Sequence, residues 1–200
     1  MKNNFIAILV ILLSAQTSLA YEINTHIKLS DEAVNASTLS KDQATLTSLG
    51  LKSVDDKKDV FPNSKDPNKP RTVRELIQDG ADFEDDTDPI KRPLNHFFDP
   101  IRNKPLNIIG VPLLNETSPD WALEDNKEIT KQAFSFKDAR DYLYKALILS
   151  TKDARKKHFA LTFQTLGQVI HHIQDMAQPQ HVRNDQHLDN KLPNPLRSHI

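Results

Sequence analysis

The chain contains no cysteine, so it forms no disulfide and offers no thiolate to a metal. Any metal chemistry falls to its eight histidines and its carboxylates. It has only four glycines and one tryptophan among 200 residues. That poverty argues against a β-sandwich or barrel, which needs frequent turn glycines and runs of β-branched residues. Charge of one sign is also missing: 26 basic and 27 acidic residues leave a formal net charge of -1. No overall field draws the chain to nucleic acid or to a membrane surface. No apolar run reaches the ~20 residues that a membrane span requires.

What is present begins with an export signal. Met1 to Asn4 carry a positive start, Phe5 to Leu13 an apolar run, and Ser18-Leu19-Ala20 a small-x-small cleavage site. Residues 1–20 therefore read as a signal peptide, with Tyr21 opening the mature domain over 21–200. A secreted or periplasmic location follows, and bound metal is a candidate stabiliser where disulfides are lacking.

The mature chain reads as helices and long loops. Helices are expected over 25–37 with Thr25 as N-cap, over 41–49 ended by a left-handed Gly50, and from 73 to about 84 behind the Thr72–Glu75 capping box. Residues 53–70 read as a polar loop. Residues 86–117, rich in proline but carrying Phe97, Phe98, Ile108, Ile109 and Leu113, read as an ordered irregular excursion. A helix opening at Ser135 and a longer one over about 153–177, ended by Pro179, complete an all-α domain. Trp121 is expected as a core anchor, and Arg155, Lys156 and Lys157 as a solvated helix start.

Chemistry concentrates at 171–181. His171 and Asp175 lie four apart, hence on one helix face, and Gly167 a turn earlier leaves room for a close neighbour. His181 follows just beyond Pro179. On an exposed surface such a pair is worth only ~0.3–0.5 kcal/mol. Here it is flanked by Val169, Ile170, Ile173 and Met176, which places it near a core, where an unmatched carboxylate is costly.

The segment His171-His172-Ile173-Gln174-Asp175-Met176-Ala177-Gln178-Pro179-Gln180-His181 resembles the signature of the zinc-dependent phospholipase C and single-strand nuclease (P-one, S-one) family: His, Asp four later, then Gln-Pro-x-His. The resemblance implies a single helical domain and further metal ligands. The mature terminus at Tyr21 would ligate through its amine and carbonyl, followed by His26. The family terminus is usually Trp, so Tyr21 departs from the pattern. Asp82 and His96, fourteen apart, would supply the next pair. His199, eighteen after His181, would begin a final His-x-x-x-acid pair whose acid falls at position 203, beyond Ile200. Truncation is favoured over substitution by Asp185.

By the same resemblance, up to three Zn²⁺ ions are expected. Asp82, His96, His171 and Asp175 would hold one. Tyr21, His26 and a bridging Asp175 would hold the second, and His181 with His199 an incomplete third. Asp82 is the candidate general base. The implied activity is hydrolysis of a phosphodiester by metal-activated water. A phospholipid substrate is slightly favoured by the Asp82–His96 spacing and the gap to His199, whereas the Tyr21–His26 spacing favours single-stranded nucleic acid. A non-catalytic zinc-binding exported protein or inactive relative is the remaining alternative. Neither stable membrane insertion nor a protein partner is expected. His158 and His172 read as solvated or supporting residues, and His187 as one that contacts substrate or orients His181.

Overall fold

A computed structural model describes residues 23–58, 60–63, 66, 68–86, 92–106, 115–123 and 132–184. Within them the chain forms α1 (Ile23–Ala36), α2 (Thr38–Lys41), α3 (Gln43–Ser48), α4 (Val73–Asp86), a 3₁₀ turn (Pro93–Asn95), α5 (Ser118–Leu123), α6 (Phe136–Ile148), α7 (Lys152–Asp175) and α8 (Pro179–Val182). No strand occurs among the described residues, and pairing is confined to isolated bridges at Phe61–Arg71 and Asp99–Lys104. The described residues form an all-α compact domain of about eight helices.

Local signals account for the helix starts. The Thr72 backbone N–H donates to Glu75 Oε2 at 2.8 Å, and the Glu75 N–H returns to Thr72 Oγ1 at 3.3 Å. Ser135 and Asp138 form the same reciprocal box at the head of α6. Gly50, at φ 74°, follows α3 in the left-handed conformation expected of it. Two expectations need adjustment. Thr25 lies inside α1 rather than capping it, and the span 41–49 divides into α2 and α3, separated by Asp42, whose carboxylate caps α3 through Ala44 N–H. Pro179 does not terminate α7, which ends at Asp175. It opens α8, where its fixed φ and missing N–H are tolerated in a first turn.

The long helix α7 packs against α4 on one side and α6 on another. Its crossing with α4 is made at two glycines. A Cβ on Gly167 would lie 2.1 Å from the Ile77 carbonyl oxygen, and one on Gly80 2.0 Å from that of Gln164. Only residues without a side chain allow backbones this close. The interior is then divided along α7. Val34, Leu46, Leu51, Val54, Phe61, Val73, Leu76, Ile77, Ala160 and Phe163 form an apolar core around the first half of α4 and of α7. Past the glycine crossing the same buried faces turn polar, with Glu84 on α4 and Gln168, His171, His172 and Asp175 on α7.

Candidate metal centre

Four elements deliver the side chains. On α1, His26, Ser30 and Val34 share one buried face, so the face that enters the core at Val34 enters the polar half at His26. The C-terminal turn of α4 brings Glu84 and Asp85, and the last turns of α7 bring His171, His172 and Asp175. His96 sits on the segment after the 3₁₀ turn. That segment is pinned by Phe98 N–H to the His181 carbonyl (3.1 Å), Ser118 N–H to the Phe97 carbonyl (3.1 Å) and Glu116 N–H to Asn95 Oδ1 (2.6 Å).

Around one point, His96 Nδ1 lies 3.1 Å from Asp175 Oδ2 and 3.5 Å from Asp85 Oδ1. His171 Nε2 lies 3.2 Å and 3.7 Å from the same two oxygens. Donors held ~2.0–2.2 Å from a tetrahedral ion stand about 3.3–3.6 Å apart. The observed spacings fall around that range. Hydrogen-bond partners do not explain them: His171 Nε2 and Asp175 Oδ2 are buried and make no hydrogen bond. The proton positions sharpen the point. His171 Nδ1 is 2.7 Å from the Ala81 carbonyl, which only accepts, so Nδ1 carries a proton and Nε2 is the nitrogen turned toward two carboxylates. His26 repeats the arrangement. Its Nδ1 donates to Gln174 Oε1 at 2.7 Å, while Gln174 Nε2 donates to Ser30 Oγ at 3.0 Å, leaving His26 Nε2 facing Asp175 Oδ1 at 3.6 Å. Buried lone pairs aimed at carboxylate oxygens repel unless positive charge lies between them. Asp175 thus turns one oxygen to His26 and the other to His96 and His171.

In the chain without metal, protons on the rings supply that positive charge. Burial opposes charge on Asp175, yet His171 and His96 hold its carboxyl well below the ordinary range. Burial also opposes charge on His96, but Asp175 and Glu84 outweigh it and push the imidazole up to about 10. His171 is raised by Asp175 against the same burial penalty, whereas burial and the neighbouring His171 lower His26.

Beside this point lies a second cluster built differently. Glu84, fully buried, forms an ion pair with Arg92 and accepts from His172 Nε2 at 2.9 Å and Trp121 Nε1 at 3.3 Å. Ser118 Oγ is 2.9 Å from His172 Nδ1, and Arg92 Nη2 donates to Gln168 Oε1 at 2.7 Å. Burial would raise Glu84, but Arg92 and His172 hold it well below the usual range. His172 is lowered by burial despite Glu84.

Three groups could therefore hold metal: His26, His171 and Asp175; Asp85, His96 and His171; and Glu84, His96 and His172. The first two share His171 Nε2, which is buried and makes no hydrogen bond, and in the third His172 Nε2 hydrogen-bonds Glu84 Oε1 directly.

Of the residues singled out from sequence, His26, His96, His171 and Asp175 come together. Asp82 is half-buried on α4 and belongs to none of the three groups; the carboxylate that joins His96 and His171 is Asp85, one turn later. His181 is buried on α8, with Nδ1 2.9 Å from the His96 carbonyl and 3.5 Å from Asp175 Oδ2, its ring stacked on Phe97. Tyr21, His199, Asp185 and His187 lie outside the described residues, as do Ile108, Ile109 and Leu113. Trp121 is a buried anchor, as expected, and His172 is a supporting residue rather than a solvated one. Sequence reasoning passed over Glu84, Asp85, Arg92 and Gln174. The acidic run 82–86 was the available signal for the first two.

No protein-family model, no curated protein and no solved structure matches this chain.

Proposed function

We propose that this chain is an exported zinc-dependent hydrolase of phosphoric esters, of the phospholipase C and single-strand nuclease kind, with a phospholipid headgroup as the favoured substrate. The observation that carries the reading is the convergence of Asp85, His96, His171 and Asp175, with each of the two ring nitrogens 3.1–3.7 Å from both carboxylates and with His171 Nε2 and Asp175 Oδ2 buried and making no hydrogen bond. Two imidazoles and two carboxylates without sulfur suit Zn²⁺. His26 on the far oxygen of Asp175 supports a second ion bridged by that carboxylate, and in an exported chain the Tyr21 terminus would join it. His181 with His199 would serve a third.

Bound zinc lowers the pKa of water towards ~7 and offsets charge on phosphoryl oxygens. The chain's own groups supply the rest. Asp85 has 26% of its side chain exposed, against 1–3% for His96, His171 and Asp175, so water and substrate reach the centre from the Asp85 side. The buried rings of His26 and His171 stack 3.8 Å apart beside Asp175. Asp82, half-buried one turn before Asp85, is the candidate base. No described helix is long and apolar enough to cross a membrane, so a lipid substrate would be met from the aqueous side.

The test is zinc stoichiometry together with hydrolysis of phosphatidylcholine and of single-stranded DNA, with and without a chelator. Chelator-sensitive, zinc-restored cleavage of the lipid is expected. Cleavage of DNA alone moves the assignment to a nuclease, and zinc binding without turnover on either identifies a non-catalytic binder. Asp82→Asn should lower kcat while leaving zinc content intact.

A further inference from the structure

We infer that Glu84 is a positioning residue for the metal centre: it holds the His96 ring so that His96 binds metal through Nδ1, whereas His26 and His171 bind through Nε2. This rests on the zinc reading above and adds to it the device that selects the nitrogen.

The three rings differ in what the nitrogen away from the centre meets. His171 Nδ1 is committed to the Ala81 carbonyl and His26 Nδ1 to Gln174, so each offers Nε2 to the Asp175 carboxylate. His96 is turned the other way. Its Nδ1 faces Asp175 Oδ2 at 3.1 Å and Asp85 Oδ1 at 3.5 Å, and its Nε2 faces Glu84 Oε1 at 3.5 Å. That Nε2 is buried and has no hydrogen-bond partner, so the carboxylate is the acceptor within reach for its proton once Nδ1 is coordinated. A carboxylate behind a ligating histidine fixes the ring's tautomer and raises its basicity.

Glu84 is itself immobilised. Arg92 pairs with one oxygen, and Trp121 Nε1 and His172 Nε2 donate to the other, with Ser118 behind His172. Arg92 is in turn held by Gln168 Oε1 and lies 5.5 Å from the Trp121 ring. A single-purpose ion pair would need only Arg92. The additional donors all converge on Oε1, the oxygen that also faces His96, and they restrict where that oxygen points. The Glu84 cluster is thus a mount for His96: Arg92 neutralises the carboxylate at Oε2, and His172 and Trp121 hold Oε1 by direct hydrogen bonds.

Two measurements on the purified chain test this. Zinc is added to the unmodified protein and the histidine nitrogens are read by long-range ¹H–¹⁵N correlation. His96 is expected with a protonated Nε2 and a metal-bound Nδ1, and His26 and His171 with the reverse. Zinc bound through Nε2 of His96 overturns the inference while leaving the zinc reading in place, whereas absence of bound zinc overturns both. Because Glu84→Gln alone leaves Arg92 buried without its partner, zinc affinity is also measured in the double variant Glu84→Gln, Arg92→Met. A weakening of about 10–100-fold is expected. Unchanged affinity in a folded double variant would show that Glu84 does not position His96.

Discussion

Two buried polar clusters share the end of α7 and differ in one respect. Around Glu84 the donors and acceptors alternate: Arg92, His172 and Trp121 give protons to one carboxylate at hydrogen-bonding range, and Ser118 and Gln168 extend the chain. Around Asp175, ring nitrogens of His96 and His171 stand 3.1–3.7 Å from carboxylate oxygens, and His171 Nε2 and Asp175 Oδ2 make no hydrogen bond. In the first cluster the carboxylate is neutralised by a protein cation, and the second is a group that could hold a metal ion. What meets the buried carboxylate thus distinguishes the two clusters: a guanidinium and an indole at Glu84, and ring nitrogens that a metal could also bind at Asp175.

The contrast is broken most severely at Asp175. Asp175→Asn removes an oxygen shared by His96 and His171 and should weaken zinc binding at least about a thousandfold, ~4 kcal/mol at 1.4 kcal/mol per decade. Zinc titration checks this, with Tm of the metal-free chain as a companion measurement. Arg92→Met should do the opposite, costing roughly 3–5 kcal/mol of folding stability by leaving Glu84 charged and unpaired in the interior. Urea denaturation reads it, and adding Glu84→Gln should recover part of the loss.

Gly167→Ala strikes both clusters at once. Its Cβ would meet the Ile77 carbonyl, so α4 and α7 must part, at about 1–3 kcal/mol. Because Asp85 and His171 ride on those two helices, zinc affinity should fall together with stability.

The mildest perturbation is pH, and its sign separates metal binding from folding. His96 is raised from 6.5 to about 10 by Asp175 and Glu84 against burial. In the chain without metal, its contribution to stability is therefore full below pH 6.5 and is lost as pH rises towards 10. Zinc must displace that proton, so zinc affinity should rise over the same interval, by up to about 1.4 kcal/mol per pH unit for each proton released. Glu84 behaves in the other sense. Its depressed carboxyl contributes stability above the ordinary carboxylate range, and that contribution is lost as acid protonates it. Calorimetric titration in buffers of differing ionisation enthalpy counts the protons, and thermal melts across pH follow the folding side.

Much of this was legible in the residue order. The long helix, the capping boxes at Thr72 and Ser135, the left-handed Gly50 and the close approach at Gly167 each follow from rules that operate within a few residues. The pairing of His171 with Asp175 is equally local, since four residues make one helical turn. Choosing among Asp82, Glu84 and Asp85 was not local. All three lie within one turn of α4, and a spacing of fourteen to His96 pointed to Asp82. The rotation of α4 against α7, set at the Gly80–Gly167 contact, groups Asp85 with His96 and His171 and buries Glu84 against Arg92.

Sequence by itself thus determined the helical class, the main helix boundaries to within a few residues and the histidines that meet, because periodicity, capping and turn spacing are properties of short segments. Tertiary structure alone decided which carboxylate joins those histidines, which nitrogen each ring presents and which buried acid is already neutralised. These depend on the relative rotation of packed helices, and at this end of the fold one step along a helix turns a side chain by about 100°, enough to exchange a metal ligand for the partner of an arginine.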